Sequence, residues 1–264
     1  MPSQDLRIAL IPHDIVELDR QRNLEQVEHR LKFLNDDVDL VVLPEMFNTG
    51  FTADTKQLAN TAEPNDGPTV SKVRDWAERF GRAIWGGFTA IEDGHYYNRG
   101  FMVFPGEEPR FYDKRHLFGL GGENKVLTPG DSLAPIIEYK SWNLKMSLCY
   151  DIRFPVWNRA VKNNYDVLVV PANWVHSRYF AWKSMLTARA IENQCYVLGC
   201  NREGRDAYGL YRRGDSMALN HWGDDVSQRC EDGTIYALLN ADQFNTDRHK
   251  FQPWRDADDF KIVL

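Results

Sequence analysis

The sequence predicts an α/β fold with a mixed β-sheet, and three observations lead there. Short, β-rich apolar runs alternate with stretches of helical periodicity. The opening reads as strand, helix, strand, a unit that favours a right-handed crossover and parallel pairing. Asp93-Gly94 and Asp232-Gly233 mark tight turns between apolar runs, so hairpins interrupt the strict alternation that a barrel of eight repeated units requires.

Taken in order, LRIALIP at 6–12 and DLVVLPE at 39–45 are runs of the kind found in a sheet covered on both faces. Between them Leu24, Val27, Leu31 and Leu34 recur at helical spacing, with Glu25, Glu28, Arg30 and Lys32 on the other side. A second helix is expected from Thr69 to Phe80, after the turn in PNDGP and ending at Gly81. AIWGGFTAI and YYNRGFMVF read as paired strands around Asp93-Gly94. WNLKMSLCY is then a strand, FPVWNRAVKNN a helix opening with Pro155, YDVLVVPA a strand, SRYFAWKSMLTARAIEN a long helix and CYVLGCN a strand. The last quarter, with DSMALN, DDVSQRC and GTIYALL, reads as antiparallel strands and a hairpin. So many strands exceed one simple open sheet and suggest two facing sheets with helices outside.

With 264 residues, 43% of them hydrophobic, the chain can bury a substantial core, and one domain over 1–264 is expected. No linker, low-complexity tract or fixed-period repeat divides it. A formal net charge of −6 opposes nucleic acid as a partner, because counterion release needs a concentrated basic face. MPSQDLRIALIP lacks the marks of a secretory signal and no run reaches membrane-spanning length, so a cytoplasmic enzyme without a membrane partner is expected. Cys149, Cys195, Cys200 and Cys230 have neither the density of a disulfide framework nor the spacing of a zinc site. All four are expected as free thiols. Cys195, Cys200 and Cys230, in apolar or strand-like surroundings, read as inert small hydrophobes.

Three segments place reactive side chains just beyond strand ends, where α/β sheets generally put ligand sites. In VVLPEMFNTGF, Glu45 is either solvated at the strand exit or held in a pocket. In FYDKRHLFGLGGEN, Lys114 and Arg115 form either a solvated basic pair or, among Phe111, Tyr112, Leu117 and Phe118, part of an aromatic-lined cavity; Glu123 lies beyond the glycine-rich turn. GLGG lacks the spacing and the following helix of a phosphate cradle, which excludes a nucleotide site there. In MSLCYDIRFPVWNR, Cys149 is either a buried structural thiol or a nucleophile at a strand-to-helix turn that aims backbone N–H groups at one point. It has no obvious histidine partner. A glutamate in a dry pocket can replace one, since desolvation raises its pKa toward that of the thiol, and a lysine between carboxylates can offset the developing negative charge.

At these residues the sequence resembles the nitrilase, or carbon-nitrogen hydrolase, superfamily. LPEMFNTGF matches its glutamate pattern at Glu45, YDKRHLF its lysine pattern at Lys114 and LCYDIRFP its nucleophile pattern at Cys149, while a second glutamate found in many members falls on Glu123 in GGEN. The resemblance runs from LRIAL through ANW at 172–174, TARAIENQ at 187–194 and GDS at 214–216. It implies an α-β-β-α sandwich of two mixed β-sheets flanked by helices, usually paired into a homodimer, with no cofactor and no metal. Within the superfamily the chain looks most like the omega-amidase branch, which implies a small-molecule substrate, the side-chain amide of a 2-oxo acid such as 2-oxoglutaramate or 2-oxosuccinamate. Another small amide, an N-carbamoyl amino acid or a nitrile is an alternative for the same residues, and a binding protein without turnover a more distant one. Two positions depart from the family pattern: Pro12 stands where the first strand usually ends in glutamine, and Glu17 where a tryptophan is common.

A 2-oxo acid amide also needs a cation for its carboxylate, which a guanidinium can grip through two hydrogen bonds. Arg153 and Arg178 are the candidates; Arg153 has the competing option of pairing with Asp151 or a surface acid. The backbone N–H of Tyr150 is placed to receive an oxyanion. Trp174, Phe118, Tyr112 and Phe47 are candidate pocket walls, with the core as the other place for each.

Overall fold

The computed structural model describes residues 1–263. In chain order the first half comprises β1 (Leu6–Leu10), α1 (Arg20–Leu31), β2 (Leu40–Val42), α2 (Thr55–Thr61), α3 (Pro68–Phe80), β3 (Ala83–Glu92), β4 (His95–Val103), β5 (Arg110–Asp113) and α4 (Glu123–Val126). The second comprises β6 (Ile136–Tyr139), β7 (Trp142–Met146), α5 (Pro155–Asn158), β8 (Val167–Ala172), α6 (Tyr179–Asn193) and β9 (Tyr196–Asn201). It closes with β10 (Gly204–Asp206), β11 (Gly209–Tyr211), β12 (Met217–Leu219), β13 (Gln228–Arg229), β14 (Ile235–Leu239) and α7 (Ala241–Lys250).

The strands make a seven-stranded sheet, β13-β14-β1-β2-β3-β4-β5, and a five-stranded sheet, β12-β9-β8-β7-β6, while β10 and β11 pair only with each other. Both large sheets are mixed. β1, β2 and β3 run parallel, with antiparallel β14 and β4 beside them; β7, β8 and β9 run parallel, with antiparallel β6 and β12 outside.

Alternation along the strands builds the layers. Leu6, Ile8 and Leu10 of β1 meet Leu144 and Met146 of β7 and Val167 and Val169 of β8 between the sheets. Ala9, Val41 and Ile84 point the other way, onto Val27 and Leu31 of α1 and Val70, Val73 and Trp76 of α3. On the far side, Leu168 and Val170 of β8 pack under Trp182, Leu186 and Ala190 of α6. The order is helix, sheet, sheet, helix, as the resemblance implied.

Several local expectations need correction. Arg30 is not on a solvated face: its guanidinium donates to the Pro12 carbonyl and to Thr234 Oγ1, reaching from the last turn of α1 over the end of β1. Pro12, which departs from the family pattern, is thereby held by that arginine. Leu34 lies beyond the end of α1, although its side chain is still buried. The helix expected over FPVWNRAVKNN is only α5, followed by a 3₁₀ turn at Val161–Asn163. Asn193 of α6 ends it, since the Ala160 N–H donates to Asn193 Oδ1 at 2.9 Å instead of to a helical carbonyl. A single helical turn, α4, does follow GLGG. Cys230 is exposed rather than packed, while all four cysteines are free.

Buried His13, beside β1's end, carries a titration of its own. Burial, with Arg30 and Arg202 nearby, lowers its pKa to about 4 from the ordinary histidine value of 6.5. A base with a depressed folded pKa leaves the unfolded chain holding more protons between those values, so stability falls as pH drops from 6.5 to 4 and then levels off. The loss expected from His13 is about 3 kcal/mol. Thermal unfolding followed from pH 7 to 4 should show a smaller loss in His13→Phe than in the parent protein; parallel curves would contradict the assignment.

Candidate active site

Parallel strands from both sheets end on one cavity. Glu45 follows β2 and Pro44, Lys114 follows β5, Cys149 lies just past β7 and Asn173 just past β8. The strand carrying the cysteine is shorter than expected: β7 stops at Met146, and Cys149 opens a 3₁₀ helix, Cys149–Arg153. Its φ of +43° puts a non-glycine residue in the left-handed region, a conformation that costs backbone strain. Tyr150 is the second residue of that helix, a position whose N–H lies too early for an intrahelical bond.

The charged groups are buried together, with Lys114 2%, Glu45 3%, Glu123 5% and Cys149 7% exposed. The Lys114 ammonium donates to Glu45 Oε1 at 2.8 Å and to both Glu123 oxygens at 2.9 Å. Asn98 of β4 bridges the carboxylates, its Nδ2 lying 2.7 Å from Glu45 Oε1 and 3.1 Å from Glu123 Oε1. Backbone donors complete the set: Asn173 N–H to Glu45 Oε2 at 2.9 Å and Phe118 N–H to Glu123 Oε2 at 2.6 Å.

Burial and charge set the protonation states. Burial by itself disfavours the ammonium, but Glu123 and Glu45 outweigh it and hold the Lys114 pKa well above the usual lysine range. Burial raises Glu123, against the pull of Lys114 and with Glu45 adding to the rise. Burial also pushes the Cys149 thiol well up; Glu45 reinforces this and Lys114 opposes it. The sulfur is therefore held as a neutral thiol.

Asp151 ties the lysine segment to the cysteine turn. Its fully buried carboxylate accepts from Tyr112 Oη at 2.7 Å, from the His116 N–H at 2.9 Å and from the Leu148 N–H at 3.4 Å, and lies 2.8 Å from His116 Nδ1. Tyr112 and His116 flank Lys114 by two residues on either side, and Asp151 lies two past Cys149. Tyr112 consequently packs between the sheets, and Phe47 packs on the helix side against Phe101; neither walls the pocket.

Trp174 and Phe118 do line the cavity, which measures about 60 Å³, as do Tyr150, Arg153 and Arg178. The Arg153 guanidinium lies 4.9 Å from the Trp174 ring centroid and that of Arg178 5.0 Å from the Phe118 ring. The competing option for Arg153 is not adopted, because Asp151 is engaged by Tyr112 and His116. Among the described residues neither guanidinium has a carboxylate partner. Asn98, Asn173, Phe51, Asp206, Tyr208 and Tyr211 were not singled out in the sequence, although Phe51 lies within LPEMFNTGF, Asn173 within ANW and Asn98 within the strand YYNRGFMVF. Among the described residues no group of three His, Cys, Asp or Glu is arranged to hold a metal ion, and no helix is long and apolar enough to cross a membrane.

The family profile for carbon-nitrogen hydrolases matches residues 7–248. The chain is 36% identical to omega-amidase YafV of Escherichia coli (strain K12), over 97% of this chain and 98% of that protein. It is 32% identical to a 2-oxoglutaramate amidase of Bacillus subtilis (strain 168), over 89% of this chain and 91% of that one. A solved CN-hydrolase superfamily protein from Xanthomonas campestris has a TM-score of 0.91 at 34% identity, covering 98% of this chain and 99% of its own. With two mixed sheets, a cavity at their strand ends and matches over nearly its whole length, the chain belongs to the carbon-nitrogen hydrolase family and is an amidase acting on C–N bonds.

Proposed function

We propose that this amidase releases ammonia from the side-chain amide of small 2-oxo acids, of the 2-oxoglutaramate and 2-oxosuccinamate kind, through a thioester on Cys149. The observation that carries the substrate reading is the pair of guanidiniums, Arg153 and Arg178, lining the Cys149 cavity without carboxylate partners among the described residues. Cations on a cavity wall favour an anionic ligand, and an arginine fork matches a carboxylate. The similarity to an omega-amidase and a 2-oxoglutaramate amidase supports the same class.

In this mechanism Glu45 takes the Sγ proton of Cys149, and the sulfur attacks the carboxamide carbon. The oxyanion is received by the Tyr150 N–H and by Lys114, which turns one of its two Glu123 contacts toward it. The tetrahedral species collapses as Glu45 returns the proton to the leaving nitrogen, giving ammonia and the thioester. Glu45 then deprotonates a water; its oxygen attacks the thioester, the C–S bond breaks, and the proton returns to sulfur as the acid leaves. Glu123 keeps the ammonium in place. The whole chain acts as one catalytic domain, in the cytoplasm and as a homodimer, without nucleic acid or membrane partners.

Ammonia release from a panel of 2-oxoglutaramate, 2-oxosuccinamate, glutamine, an N-carbamoyl amino acid, a neutral aliphatic amide and a nitrile tests the reading. The 2-oxo acid amides should have the highest kcat/KM; a clear preference for any other compound would replace the proposed substrate. Arg153→Met and Arg178→Met should each lower kcat/KM for the anionic amides by about 10- to 100-fold, the worth of a charge-assisted hydrogen bond, and affect a neutral amide much less. Equal losses on anionic and neutral amides would refute the carboxylate clamp.

A further inference from the structure

One wall of the cavity belongs to neither large sheet. The hairpin β10–β11 pairs only with itself, yet Asp206, Tyr208 and Tyr211 all face the cavity that holds Cys149. Its base is rigid. Asp206 accepts from Arg202 Nη1 at 2.8 Å, from Tyr211 Oη at 2.8 Å and from the N–H groups of Tyr208 and Gly209 at 2.8 and 3.1 Å. Arg202 itself is 1% exposed, donates to the Ile15 carbonyl at 3.0 Å and lies 4.7 Å from the Tyr211 ring centroid. At the root, Gly204 has φ +91° and a Cβ there would meet Asp14 Oδ1 at 1.8 Å, so the strand passes hard against the loop after β1.

The Tyr208 side chain is held far less. Tyr208 is 47% exposed, and across the cavity mouth it has a tilted contact with the Phe51 ring, at 5.9 Å between centroids and 38° between ring planes, and a long hydrogen bond from its hydroxyl to the Gly121 carbonyl, at 3.4 Å. With the turn backbone fixed and the aromatic side chain lightly held, the Tyr208 ring is the part of this wall that can yield.

The geometry points to Tyr208 as a specificity-determining residue that limits the length of the acyl chain the cavity accepts. The inference rests on the proposed amide substrate and adds a limit to it. An amide pinned at its reacting carbon by Cys149 and at its far carboxylate by Arg153 or Arg178 has both ends fixed. One more methylene must then bow outward, and the side that can yield is the mouth beneath the Tyr208 ring. A pocket wall of this kind discriminates by about one to two orders of magnitude per methylene.

The test is kcat/KM for ω-amides of four-, five- and six-carbon 2-oxo diacids with the parent enzyme, Tyr208→Ala and Tyr208→Phe. In Tyr208→Ala the six-carbon to five-carbon ratio should rise about tenfold or more, chiefly through a lower KM for the longer amide. Tyr208→Phe should keep the parent ratio, because the ring and not the hydroxyl fills the mouth. A ratio in Tyr208→Ala within twofold of the parent's overturns the gate, including the case in which all three amides slow equally, which would mark a structural role. If the parent enzyme hydrolyses other amides but none of these three, the substrate reading fails and the gate falls with it. Activity of the parent on these amides with an unmoved ratio removes the gate alone.

Discussion

Cys149→Ala is expected to lower amide hydrolysis by about 10⁴-fold or more, the scale seen when a covalent nucleophile is removed. Folding stability should stay within about 1 kcal/mol, because only one buried sulfur atom is lost and the turn keeps its backbone conformation. Cys149→Ser should be almost as inactive. A hydroxyl holds its proton more tightly than a thiol, and Cys149 sits where burial and Glu45 already oppose ionisation. Ammonia release and thermal unfolding of the two variants check both halves; turnover near the parent rate in either would remove the sulfur from the mechanism.

Lys114→Met is expected to damage fold and activity together. Without the ammonium, Glu45 and Glu123 remain buried, sharing the Asn98 amide and no cation. Breaking a buried charge network by deleting one partner costs about 3–5 kcal/mol. The pH dependence identifies the cause. Glu123 is already raised by burial with Lys114 present, and losing the cation raises it further, above its unfolded value. A carboxyl with a raised folded pKa contributes stability at low pH that is lost as pH rises through that value. Relative to the parent, the variant should therefore regain stability on going from pH 8 to pH 5. This is opposite in sign to the His13 effect, which removes stability on acidification below 6.5. Unfolding midpoints across that range, compared between parent and variant, measure it; a constant difference at all pH values would contradict the two-carboxylate explanation.

How much was legible in the sequence follows from which interactions are local. The strand-helix-strand opening, α3 between its turn and Gly81, and the β3–β4 hairpin at Asp93-Gly94 all rest on periodicity and turn chemistry within a few residues, and all are present. That Glu45, Lys114 and Cys149 sit just past strand ends was also legible. Their convergence was not, since Lys114 is 69 residues from Glu45, and the expectation came from the family resemblance. Side-chain partners from distant elements account for most of the misses. Arg30 reads as surface by helical spacing but serves the end of β1, and Asn193 cuts short a helix that local propensity favours. Asn98 looks like any residue of an alternating strand until both carboxylates meet its amide. Tyr112 turns into the inter-sheet core, where Asp151 takes its hydroxyl, while Trp174 and Phe118, placed on loops, reach the cavity.

The most direct test of the thioester account is partitioning by hydroxylamine. The primary amide and the N-methyl amide of one acid are hydrolysed separately at a fixed hydroxylamine concentration, and hydroxamate and free acid are measured. A common acyl group on Cys149 predicts the same hydroxamate-to-acid ratio from both amides, because the leaving amine has departed before either nucleophile attacks. A ratio that changes with the leaving group would mean that water attacks the amide directly, and would contradict the covalent role given to Cys149.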